Sequence, residues 1–281
     1  MPSTTSLKVY NEKLNLLKKS LNIISDNFNF LLNTKKIIAH IEGLDISLNT
    51  KKMYYISIVS LLKLHGGFKK TIEIYRKKQL EYNTKQSEIY QKQELSKSEA
   101  SKFMEWDEIL NLKLQIEEAV NNQNTFLDYL VYCLYTELPP MRLDYGELQI
   151  VNELPNNAKG NFYINNQHPQ IVLTEYKTAH RYGKHIIDIP HELSEIIKLY
   201  IEIFEPKFLI ESRGKPLTPS SLNYKLTNLF KKFTDKPISV NILRHSYISY
   251  HKKGTPTINE ANELASSMGH SVGMSEIYRR I

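Results

Sequence analysis

The chain has 281 residues, 41% of them hydrophobic and 24% charged, which is enough apolar material for one large folded domain or two ordinary ones. Lysine plus arginine outnumber aspartate plus glutamate by 37 to 30, and this formal charge of +7 favours a polyanionic partner. A single cysteine, Cys133, excludes an intrachain disulfide and a cysteine-rich zinc site. "MYYISIVSLLKL", the longest apolar stretch, is too short and too broken by serines to span a bilayer. With no apolar signal core near the start, the expectation is an intracellular protein that is not secreted and has no membrane partner.

In chain order, Leu7, Tyr10, Leu14, Leu17, Leu21 and Ile24 recur at intervals of three and four, which predicts an amphipathic helix over 6–24. Two more helices are expected at 33–43 and 50–65, the latter opening after "SLNT" and closing at Gly66-Gly67. Residues 68–100 are rich in Lys, Gln, Glu and Ser. Ile72, Tyr75, Leu80 and Ile89 allow a helix with a narrow buried stripe, and 91–101 reads as a linker. Helices are then expected over 103–120 and 124–138, followed by short strands at "ELQIVN", "NFYIN", "QIVLTEY" and "KHIIDIP". From Glu192 the pattern is helical again, through "ELSEIIKLYIEIF", "SSLNYKLTNLFKKF", "NILRHSYISYH", "INEANELASSMG" and "SEIYRRI". The fold class is α+β: a helical N-terminal domain, then a mixed, mainly helical domain with a small antiparallel sheet.

Four pieces of the second domain carry candidate chemistry. They are "LPPMRLDYGEL" with Arg142, "TEYKTAHRYGKHIIDIP" with Lys177 at a hairpin bend, "NILRHSYISY" with Arg244, and "MGHSVGMSEIYRRI" with His270 and Tyr278. Singly, each has an ordinary reading: a surface arginine, a lysine protecting a sheet edge, a C-cap glycine with a surface histidine, a packing tyrosine.

Together and in this order they resemble the tyrosine recombinase (phage integrase) family. "LRHSYIS" and "MGHS…IY" are the specific parts, while "RLDYGEL" and "YKT" are looser. The resemblance covers 102–281 as a catalytic domain. It also fits 31–95 as a helical core-binding, DNA-binding domain, with 1–30 as an N-terminal helical extension and a linker to about 101. It implies a two-domain clamp on double-stranded DNA, a homo-oligomer (dimer or tetramer) on that DNA, and no cofactor. Carried over residue by residue, Arg142 and Arg244 match the two arginines and Lys177 the hairpin lysine. His270 matches the histidine of the "GH" motif and Tyr278 the nucleophile.

The residue types suit that chemistry. Two guanidiniums can clamp the non-bridging oxygens of a phosphodiester bidentately where a metal would otherwise serve, and no obvious carboxylate cluster for magnesium is present. A free phenol titrates near ~10 and needs a cationic field or a base, and the 5′-oxygen leaving group needs a proton that a lysine can deliver. The resulting 3′-phosphotyrosyl bond conserves the phosphodiester's energy, so rejoining needs no ATP.

Four departures stand beside the resemblance. The position three before Arg244, usually histidine in the family, is Asn241. An amide there can orient a phosphate oxygen but cannot act as a base. His245 is expected to support the helix. The acidic residue frequent three positions after the first arginine is replaced by Tyr145, with Asp144 beside it. The interval from His270 to Tyr278 is one residue shorter than is common. Only three residues follow Tyr278, where many relatives carry a tail that packs on the neighbouring protomer. The expected function is a site-specific recombinase or integrase. A type IB topoisomerase-like strand transferase and a DNA-binding relative that has lost catalysis stand as alternatives.

Overall fold

The computed structural model describes residues 2–25, 27–254 and 256–280. Its internal packing divides the chain into two compact units, Met1–Lys92 and Gln93–Ile281. No helix among the described residues is long and apolar enough to cross a membrane.

The first unit contains α1 (Thr4–Ser20), α2 (Thr34–Gly43), α3 (Leu48–His65) and α4 (Lys69–Gln91). Its core is built from Leu14 and Leu17 of α1, Leu31, Ile37 and Ile41, and Tyr55, Ile58 and Leu62 of α3. The apolar period continues to Ile24, but α1 stops at Ser20. Asn22 adopts a left-handed conformation (φ 55°), and the Ile23 amide closes back on Lys18 O, which leaves Ile24 98% exposed. The stripe of α4 also differs from expectation. Leu80 and Ile89 face solvent, while Tyr75 and Tyr82, seven residues apart, are buried. Their hydroxyls find acceptors: Tyr75 donates to Leu31 O (2.8 Å), and Tyr82 and Tyr55 both donate to the Glu42 carboxylate (2.6 and 2.7 Å).

The second unit opens with α5 (Lys97–Ala100), a single turn inside the stretch read as linker, closed by a capping box between Ser96 and Glu99. The helix expected over 103–120 is two helices, α6 (Trp106–Leu110) and α7 (Lys113–Glu118). The Tyr132 hydroxyl takes the carbonyls of Ile109 (2.7 Å) and Leu110 (3.1 Å) that would have continued the helix. Tyr132 lies on α8 (Gln123–Thr136), whose Leu130, Val131, Cys133, Leu134 and Tyr135 are wholly buried. Around α8 pack α10 (His191–Phe204) and α11 (Pro219–Thr234).

A four-stranded sheet has the order β1 (Leu148–Val151), β2 (Asn161–Ile164), β3 (Gln170–Leu173), β4 (His185–Asp188). β1 joins β2 in parallel, and the β2–β3 and β3–β4 pairs are antiparallel. One short helix, α9 (Ala179–Tyr182), sits in the β3–β4 connection, and β5 (Glu211–Ser212) with β6 (Lys215–Pro216) makes a two-residue hairpin. The chain finishes in α12 (Val240–His251), α13 (Ile258–Ser267) and α14 (Val272–Tyr278). The class is the α+β arrangement expected from the strand and helix patterns.

Candidate active site

Tyr278 is the last residue of α14, and three side chains surround its ring. The Arg244 guanidinium carbon is 4.7 Å from the ring centroid, the His270 ring stacks on it at 5.8 Å and 18°, and the His245 ring is tilted at 5.0 Å. Cation–π attraction and ring stacking therefore hold the phenol ring directly against two of the candidate residues.

Arg244 is 1% exposed on α12. Its Nη1 donates to Pro140 O at 2.6 Å, while Nε and Nη2 are buried without a hydrogen-bond partner. Burial lowers its pKa below the usual arginine value, the Tyr278 side chain opposes that shift, and the Arg142 charge adds to it. A buried guanidinium with two donors that meet no protein acceptor is costly, and an anion placed against them would satisfy both.

The loop carrying Arg142 is set by tyrosines. Pro139 and Pro140 have no N–H to donate but keep their carbonyls. Tyr145 Oη donates to Pro139 O (3.2 Å), Arg244 to Pro140 O, and Tyr135 Oη to Arg142 O (2.7 Å). Tyr145 is thus a fully buried scaffold residue, packed edge-on against Tyr135 at 5.3 Å. The carboxylate that acts on both arginines is Asp144. Burial raises its pKa against the opposing pull of Arg142 and Arg244, and its Oδ2 is buried without a partner.

His270 follows a helix C-terminus whose geometry requires glycine. Gly269 has φ +63°, its amide bonds Ser266 O, and the His270 amide bonds Ala265 O, a Schellman closure of α13. A Cβ on Gly269 would come within 3.2 Å of Met141 Cε and 3.5 Å of Tyr176. His270 is 3% exposed. Its Nδ1 faces Ser271 O at 3.1 Å and so carries the proton, leaving Nε2 as a buried lone pair without a partner. Burial first, then the charges of Arg244, Arg142 and Lys252, push its pKa down to about 4, so the imidazole is neutral.

Lys177 stands apart from this cluster. It is exposed on the turn before α9 and makes no hydrogen bond or ion pair among the described residues. Its flanks are fixed. Asn161 Oδ1 accepts from the amides of Thr174 and Glu175, and Asn161 Nδ2 donates to Glu175 O and Asp144 O. Thr178 Oγ1 donates to Gly269 O at 2.8 Å, tying the lysine turn to the residue before His270.

Asn241 is exposed, and its amide does not join Arg244. Its Nδ2 lies 3.3 Å from His245 Nε2. His245 Nδ1 lies 2.6 Å from the Tyr278 carbonyl, and Arg280 Nη2 is 3.2 Å from Nε2. A carbonyl must accept and a guanidinium must donate, so Nδ1 carries the hydrogen and Nε2 accepts. Burial pushes the His245 pKa down to about 4. The supporting part expected of His245 takes this concrete form: it grips the main chain of Tyr278.

Sequence reading missed Lys252. It is 1% exposed, paired with Glu276 Oε1 at 2.5 Å, and close enough for its charge to act on His270. Tyr247 turns away from the cluster to pack edge-on against Trp106 at 5.0 Å.

No family model and no curated protein matches the chain. Among solved structures it aligns with a XerA recombinase at 12% identity, over 96% of this chain and 93% of that one, with a TM-score of 0.44. It aligns with the Tn1549 transposon integrase in complex with transposon right end DNA at 14% identity, over 97% and 94% of the two chains, TM-score 0.46. With the same integrase in complex with circular intermediate DNA the values are 15% identity, 98% and 95% coverage, and TM-score 0.45. These likenesses are likenesses of fold.

Proposed function

We propose that the protein is a site-specific DNA recombinase or integrase that cuts and rejoins duplex DNA through Tyr278. One observation carries the reading: Arg244 Nε and Nη2 and His270 Nε2 are all buried and unpartnered, and both side chains lie against the Tyr278 ring. An anion receptor built around a phenol suits transesterification of a phosphodiester.

In this reading Arg244 and Arg142 hold the non-bridging oxygens of the scissile phosphate. The Tyr278 oxygen attacks phosphorus as the bond to the 5′-oxygen breaks, giving a 3′-phosphotyrosyl bond and a free 5′-hydroxyl. His270, neutral with Nε2 open beside the ring, is assigned the part of base for the phenol proton, and the arginine charges favour the phenolate. Lys177, on its tethered turn, delivers a proton to the 5′-oxygen. Attack by a 5′-hydroxyl in reverse reseals the strand. The phosphate charge also offsets the cationic field that depresses His270, so its proton affinity rises once DNA is bound. The helical region 31–95 supplies further DNA contact, 102–281 is the catalytic domain, and the protein works as a dimer or tetramer on DNA inside the cell.

The test is incubation of the full chain with a library of nicked duplexes of randomised sequence, followed by denaturing electrophoresis and sequencing of trapped DNA. A covalent adduct that disappears in Tyr278→Phe, with DNA affinity retained, is the expected result. An adduct that persists in Tyr278→Phe moves the nucleophile elsewhere. DNA binding without any adduct makes the protein a relative that has lost catalysis.

A further inference from the structure

Asn241, His245, Ser249 and Lys252 are spaced four, four and three residues apart, which places the first three on one face of α12 with Lys252, its C-cap residue, following them. Each contacts His245 or the segment around Tyr278. Asn241 Nδ2 meets His245 Nε2, His245 Nδ1 donates to Tyr278 O, Ser249 Oγ accepts from the Arg280 amide at 2.8 Å, and Lys252 Nζ pairs with Glu276 Oε1. Arg280 Nη2 returns to His245 Nε2, and Glu99 Oε1 lies 3.6 Å from both. Arg244, from the neighbouring face of the same helix, contacts the Tyr278 ring.

From this alignment we infer that the stripe Asn241–His245–Ser249–Lys252 is a docking rail: four positioning residues that together hold the segment from Glu276 to Arg280 and set the Tyr278 hydroxyl against the arginines of its own chain. The inference rests on the reading of Tyr278 as nucleophile. The chemistry of the rail explains its tightness. The Lys252 ammonium is fully buried and its hydrogen-bonded acid is Glu276, two residues before Tyr278. Glu276 compensates that buried charge only while α14 is docked, so the ion pair favours the docked state. His245 acts as a fixed donor because Asn241 and Arg280 both donate to Nε2 and so keep the hydrogen on Nδ1. On this account Asn241 does not touch phosphate. It sets the tautomer of the histidine that holds Tyr278.

The docking test needs no DNA. Amide hydrogen exchange of Tyr278, Arg279 and Arg280 is followed in the full chain for wild type, Ser249→Ala, Glu276→Leu, and the pair Lys252→Met with Glu276→Leu. Ser249→Ala and Glu276→Leu speed exchange at these three amides by about tenfold and leave α8 unchanged, as a local opening does. The double variant, with the buried ion pair replaced by apolar side chains, returns to near the wild-type rate. At saturating nicked DNA, adduct formation by both single variants slows in parallel with no change in the DNA concentration for half-saturation, and the double variant recovers. Unchanged exchange in both single variants overturns the rail. Exchange that recovers in the double variant while cleavage does not overturns it too, by making the Lys252 charge itself a chemical requirement. Absence of any adduct from the wild type strikes the proposed function instead, and the exchange result still decides the docking.

Discussion

The Arg244 guanidinium lies 4.7 Å from the centroid of the Tyr278 ring, and its buried Nε and Nη2 have no acceptor in hydrogen-bonding geometry among the described residues. Buried unsatisfied donors cost about 1–3 kcal/mol each, more when charged, so the arrangement is a sacrifice of stability. Arg244→Met keeps the stem and removes the charge. The expected outcome is an unchanged or higher melting temperature together with loss of the covalent adduct by a factor of about a hundred or more. A melting temperature that falls steeply would show the arginine to be a structural strut through Pro140 O rather than an anion receptor.

His245 and His270 are both held neutral, with pKa values pushed down to about 4. In the unfolded chain each titrates near ~6.5. Between those values the unfolded state binds more protons, so stability rises with pH across this window and is fully developed above it. Urea unfolding from pH 4 to pH 7 should show this slope, reduced but not abolished in His245→Gln, because burial also lowers the pKa values of His185, His251 and His270. A slope that survives undiminished in that variant would mean His245 is not buried neutral.

Gly269→Ala tests the platform under His270. The left-handed φ of +63° disfavours any L side chain by about 1–2 kcal/mol. The new methyl also presses on Met141 Cε, a flexible tip that can yield. Destabilisation of that size in urea, with slower cleavage because His270 shifts, is the expected result. Met141 is itself buried in the core, so adding Met141→Ala relieves the contact but opens a cavity, and the double variant should be less stable than Gly269→Ala alone.

How much of this was legible beforehand depends on the range of the interaction. Arg142, Arg244, His270 and Tyr278 could be picked out because each sits in a short local pattern, and the glycine before His270 announces its helix end. The break between α6 and α7 could not be seen, because its cause is a hydroxyl from Tyr132, more than twenty residues away. Nothing local marks Lys252, since its partner Glu276 is supplied by a helix 24 residues later. Asp144 is visible beside Tyr145 in the sequence, but that its carboxylate faces both arginines while the tyrosine holds Pro139 O is a matter of packing. Asn241 was placed on the Arg244 face by helical spacing of three, and the structure turns its amide to the residue at spacing four.

The last prediction concerns Lys177, the candidate that the free protein leaves in solvent. Because the side chain is exposed and makes no hydrogen bond or ion pair among the described residues, Lys177→Ala should leave the melting temperature within measurement error. It should nonetheless block cleavage of an ordinary phosphodiester, since the alkoxide leaving group needs a proton. A substrate with sulfur at the 5′-bridging position needs none, so it should restore cleavage by Lys177→Ala close to the wild-type rate. Thr178→Val provides the structural counterpart. It removes the 2.8 Å bond to Gly269 O that ties the turn to the residue before His270, and it leaves the lysine itself in place. If the tether brings Lys177 to the leaving group, Thr178→Val slows cleavage of the normal substrate by roughly the ten-fold that one hydrogen bond to a backbone carbonyl can contribute, and the sulfur substrate erases that deficit. Arg244→Ala, which fails at the non-bridging oxygens, should stay inactive on both substrates. Equal rescue of Arg244→Ala, or no rescue of Lys177→Ala, would remove the proton-donor assignment from this turn and pass it to the buried Lys252, the lysine whose charge already acts on His270.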